Sequence, residues 1–185
     1  MRILIAGILG AVVMFIWTSV AHVMTPLATT GLSPIPNEGP VVAALHDSIG
    51  SKQGLYFYPW MDMKDPNAMA KQAETFKTKP HGILIYNPPG SPDMTMRMMI
   101  SEIAKEAVLT LIAALLLAQT LLAGYLSRVG FVSLIGVAGA LTTNVSYWIW
   151  YSFPTNYTLA YTFIDFFGYV VAGLVIAAIV KPRPA

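Results

Sequence analysis

From Val129 to Val180 the chain carries one formal charge, Asp165, and nothing else in the sequence restricts its folding as much. A helix rises about 1.5 Å per residue, so a hydrocarbon core of about 30 Å takes about 20 apolar residues. The run is too long for one crossing and suits two. Phe153-Pro154-Thr155-Asn156 marks the break, because proline removes a backbone donor and disfavours helix at the residue before it. Tyr147, Trp148, Trp150, Tyr151, Tyr157 and Tyr161 crowd that break, and such rings prefer a membrane interface.

Two more stretches lack formal charge, Ile3 to Met24 and Ala107 to Ser127. Only 11% of the 185 residues are charged, against about a quarter in a soluble domain. The expected fold class is therefore an all-α transmembrane four-helix bundle. The first span is residues 1–25, and spans two to four with a short tail fill residues 102–185. Arg2 and Ser19-Val20-Ala21 also permit the first segment to be a signal peptide cleaved after residue 21. Arg2, Arg128, Lys181 and Arg183 fall on one side of a four-span scheme, with no acidic residue among them. Positively charged short loops stay inside, so both termini are expected in the cytoplasm of a bacterial inner membrane.

Residues 26–101 then form a small extracytoplasmic α+β insert between spans one and two. Asn37 is expected to cap a helix through Ile49, and Asp65-Pro66-Asn67 to open another to about Lys77. Leu55 to Tyr58 and Ile83 to Tyr86 read as strands. Residues 36–60 and 66–88 echo each other as a tandem helix–strand unit, for which parallel strand pairing is the simpler expectation.

Asp165 and Asn144 are expected at similar depth near the outer surface, with His22 and Glu106 somewhat nearer it. Intramembrane ionisable groups face the bundle or a cavity. These four residues form either a pocket for a proton, cation or small polar ligand, or a buried polar contact that fixes helix packing. The second is preferred, because packing alone accounts for it. Seven of the ten methionines lie between Met61 and Met99. Met94, Met96 and Met98, with His22, His46 and His81, offer the soft and imidazole donors that suit copper. Methionine serves an apolar helix face equally well, so no cofactor is required.

Net charge +2 without a basic run points away from nucleic acid. The absence of cysteine excludes disulfides, iron–sulfur clusters and thiol catalysis. No phosphate-binding glycine loop, Gly-x-Ser-x-Gly or His-Glu-x-x-His occurs. The small-residue pairs Ala6/Gly10, Gly136/Ala140 and Gly168/Ala172 permit close helix packing, within the chain, between copies or against other membrane proteins. Trp17, His22, Pro26-Leu27, Pro36-Asn37-Glu38, Leu55-Tyr56-Phe57-Tyr58-Pro59 and Trp150-Tyr151-Ser152-Phe153-Pro154 together resemble a group of small uncharacterised bacterial inner-membrane proteins. That resemblance implies a bacterial setting and no activity. The leading expectation is a non-enzymatic accessory or scaffold subunit. The alternatives are periplasmic copper handling and an ion- or proton-linked channel or carrier using Asp165.

Overall fold

A computed structural model of the protein describes residues 1–62, 64–91 and 96–182. In chain order the elements are α1 (Arg2–Val23), a 3-10 turn (Pro26–Thr29), α2 (Glu38–Ile49), β1 (Gly54–Tyr58), α3 (Ala68–Thr78), β2 (Gly82–Tyr86), α4 (Met96–Leu117), α5 (Tyr125–Ala140), a π-helical turn (Leu141–Val145), α6 (Ser146–Tyr151) and α7 (Thr155–Ile179). They fall into two compact units, Met1–Leu32 with Met94–Ala185, and Ser33–Asp93.

In the larger unit, three helices are long and apolar enough to cross a membrane: Arg2–Val23, Tyr125–Tyr151 and Thr155–Ile179, of 22, 27 and 25 residues. The last two are separated where proline predicts it. Ser152 takes a left-handed conformation, φ 56°, and Pro154 caps α7. The uncharged run Ala107–Ser127 does not form one helix, contrary to expectation. α4 begins at Met96 and stops at Leu117, and α5 starts only at Tyr125. Absence of charge marks what lipid tolerates, but Gln119, Thr120 and Gly124 favour chain reversal locally. Arg97, Glu102, Lys105 and Glu106 consequently lie within α4, which is not among the three membrane-length apolar helices.

α7 packs against both α5 and α1, and α1 also packs against α4. The contact faces are lined by small residues. Ala6, Ala11, Ala21, Ala113, Ala114, Ala140, Ala172 and Ala177 are buried, while Leu4, Ile8, Val12 and Ile16, one turn apart on α1, are about half exposed. All three small-residue pairs lie at contacts inside this bundle. A Cβ on Gly136 would sit 2.6 Å from the Tyr169 Cβ, one on Gly10 3.0 Å from Ile176, and one on Gly168 3.3 Å from Met14. Side chains also donate to backbone carbonyls across helices. Thr110 Oγ1 reaches Gly7 O at 2.8 Å, Trp17 Nε1 reaches Ile164 O at 2.9 Å, and Tyr125 OH reaches Leu174 O at 2.9 Å. Arg128 is buried, with Nη1 2.6 Å from Val180 O. That carbonyl lies just beyond the end of α7, where no further helical turn supplies a donor.

In the smaller unit each half supplies a helix followed by a strand, but the strands pair antiparallel rather than parallel. The connection 59–81 is long enough to return to either end of β1, and the antiparallel ladder is slightly better per residue. The register sets Gly54 opposite Tyr86 and Tyr58 opposite Gly82. The echoed Gly-x-x-x-Tyr pattern therefore matches its own reverse across the ladder. Asn37 takes the N-cap position of α2 without making the expected side-chain bond. Ahead of α3, Asp65 pairs with Lys71 and accepts from the Asn67 amide at 2.8 Å, and both contacts hold its carboxyl below the usual aspartate range. The Phe76 ring lies 6.3 Å from Phe57 and stacks on His81. Leu55 and Ile85, cross-strand partners, are 70% and 72% exposed, so one face of the ladder lacks cover among the described residues.

The tight Gly136 contact makes a sharp test of the packing. Gly136→Ala should destabilise the protein by about 1–3 kcal/mol, because the clash is with Tyr169 at its Cβ. Gly139→Ala, where a Cβ meets open space, should stay within about 0.5 kcal/mol of the parent. Thermal unfolding in mild detergent measures both.

Candidate functional site

The polar groups singled out in the sequence divide between a small cavity and an open groove. Asn144 lies in the π-helical turn between α5 and α6. Such a turn inserts an extra residue and shifts the helical register, which re-aims the side chains around it. Asn144 Nδ2 donates to Asp165 Oδ2 at 2.8 Å. Facing them from α1 and α4, Thr18 Oγ1 donates to Glu106 Oε1 at 2.9 Å. Glu106 is 1% exposed, and its Oε2 has no hydrogen-bond partner among the described residues.

Glu106 and Asp165 line one cavity of about 40 Å³, with Met14, Thr18, Lys105, Leu109, Ile164, Gly168 and Tyr169. Gly168 lines it, and a Cβ there would lie 3.3 Å from Met14 and 3.5 Å from Trp17. Lys105 lines this cavity too, but its Nζ donates to Glu102 Oε1 at 2.6 Å. Chemically, the arrangement is a small polar chamber with two acidic groups and free acceptor capacity. It can take a proton, a water molecule or a cation.

His22 does not line the chamber. Its Nδ1 lies 2.8 Å from Thr18 O, one turn back, and its ring meets Tyr161 edge-on at 6.0 Å. It lines an open groove of about 440 Å³ with Phe15, Thr18, Ser19, Val23, Met98, Met99 and Glu102. Thr18 borders both places and was not singled out in the sequence. Its position four residues before His22, hence on the same helical face, is the signal that points to it. Arg128 is the other omission. It reads from sequence as a turn charge but is buried.

The metal-donor set is only partly gathered. Met98 shares the groove with His22, and Met96 is exposed at the start of α4. Met94 lies outside the described residues. His46 is exposed in the last turn of α2, and His81 is held against Phe76, both in the smaller unit. Among the described residues no three His, Asp or Glu side chains converge as metal ligands. Of the other polar neighbours on this segment, Thr142 turns back to Ala138 O, and Tyr147 packs on Tyr151 and Phe153.

The Asn144–Asp165 contact is measurable by a double-mutant cycle with Asn144→Ala and Asp165→Ala. Hydrogen bonds between apolar helices give about 0.5–2 kcal/mol of coupling. Reversible unfolding in detergent should return a value in that range, whereas additive effects would show that the contact contributes nothing.

No family model matches the chain, and the searches of curated proteins and solved structures likewise found no match.

Proposed function

We propose that the chain is a four-span integral protein of a bacterial inner membrane that acts as a non-enzymatic accessory or scaffold subunit. In this reading α4 is the additional crossing. Its charged first half, from Arg97 to Lys105, meets the interface, and its apolar half continues into the uncharged segment 118–124. Arg2, Arg128 and Lys181 share the cytoplasmic side, as positive charge in short loops favours. Residues 26–101 then lie outside.

The observation that supports a scaffold is where the polar side chains go. Trp17, Thr110, Tyr125 and Arg128 each donate to a backbone carbonyl of another helix or its cap. In lipid such bonds fix helix positions, since no water competes for them. A bundle built this way presents constant outer faces to lipid and to neighbouring membrane proteins.

Native membranes solubilised in mild detergent and purified through a tag on the chain provide the test. An equimolar second protein, retained through size exclusion, is expected. Recovery of the chain by itself, or only as copies of itself, would remove the subunit reading.

A further inference from the structure

The cavity between α1, α4 and α7 leaves one thing unexplained by packing, a carboxylate oxygen with nothing to bind. Glu106 is 1% exposed, yet Oε2 has no partner among the described residues. Leaving such a group empty in a medium of low dielectric constant is costly. A site of about 40 Å³ exceeds the roughly 15 Å³ that one water molecule requires. Asp165 lines the same space with one of its oxygens occupied by Asn144.

The one opposite charge on the cavity wall, Lys105 of α4, is shared with Glu102, so it offsets at most one of the two carboxylates. On α1, His22 is hydrogen-bonded to Thr18 O and lines the groove instead. The one formal charge of α5, Arg128, is held at the far end of α7 by Val180 O. From α7 itself, Tyr161 points to Ala28 and His22, and Tyr169 lines the cavity without a formal charge. Two carboxylates bordering one small cavity repel unless a positive charge joins them. A hard divalent cation asks for about six to eight oxygens. The two carboxylates supply four, two of which also accept from Thr18 and Asn144. That leaves too few for a dehydrated metal ion, and enough for a proton.

We propose that Glu106 and Asp165 hold one exchangeable proton between them, relayed by water in this cavity. In the transfer, the O–H bond of one carboxyl breaks as the water accepts its proton. The same water releases another proton to the opposite carboxylate, where a new O–H bond forms. The pair keeps a net charge of −1 throughout, and no electron moves. The proposal gives the bundle a proton-binding site, and stands whether or not a partner subunit exists.

Infrared spectroscopy of the whole protein in nanodiscs at neutral pH, in sodium-free buffer, tests it. The expected result is a protonated-carboxyl C=O stretch that shifts on exchange into deuterium oxide. It should shift or be lost in both Glu106→Gln and Asp165→Asn, since each removes one of the two groups that share the proton. Wild-type protein labelled with ¹³C in aspartate or in glutamate provides the arm that needs no mutation. Each label should shift part of the band. The proposal is overturned by any of three results: no such band in the wild type, a band that answers to one label or is unchanged by one substitution, or a band lost when sodium is added. The second outcome would mean an isolated neutral acid, and the third an alkali-ion site.

Discussion

The contacts of the larger unit depend on the medium outside it. In water, a helix turns its large apolar side chains inward and its polar ones outward. Here α1 does the reverse. Ala6, Gly7, Gly10, Ala11 and Ala21, with Met14 among them, form its inner face, and Leu4, Ile8, Val12 and Ile16 point out. That inversion is stable where the solvent is as apolar as leucine, because close backbone approach then contributes more than burial of area. The fit of Gly136 on Tyr169 and of Gly10 against Ile176 follows from the same constraint.

A lipid medium would give each interior polar atom unusual weight, since it offers no water as an alternative partner. Thr110, Trp17 and Tyr125 find carbonyls on neighbouring helices, and Arg128 meets the carbonyl beyond the end of α7. Against that background Glu106 stands apart, half satisfied by Thr18 and half open to a chamber that also touches Asp165. Structural contacts and the candidate proton site thus arise from one rule, that buried polar groups in an apolar medium must be paired, and the second is where the pairing is incomplete.

Much of this was legible in the sequence, for identifiable reasons. The long uncharged runs and the Phe153-Pro154 break mark α1, α5 and α7, because hydropathy and proline act locally. The helix–strand alternation of residues 37–86 follows from turn residues and β-branched or aromatic runs. Similar spacing on either side of the Phe153-Pro154 break pointed Asn144 toward Asp165, and the two meet with Asn144 in the π-helical turn. Other features depend on three-dimensional closure and were not legible. Strand direction depends on the path of residues 59–81, which no local pattern encodes. The end of α4 falls inside an uncharged run, where hydropathy gives no boundary and only Gln119, Thr120 and Gly124 mark the turn. Arg128 near a helix start reads as a surface charge until the end of α7 is seen to supply its acceptor.

The central claim is that lipid contacts the outward aliphatic faces of α1 and α5. The protein contains no cysteine, so a spin label can be placed at one chosen position without background. Ile8→Cys, Val12→Cys and Leu134→Cys, each labelled and reconstituted in nanodiscs, report their surroundings through collision with dissolved oxygen or with a water-soluble nickel chelate. The account predicts high oxygen and low chelate access at all three. Chelate access equal to that of a label on the exposed Lys77 position would contradict it.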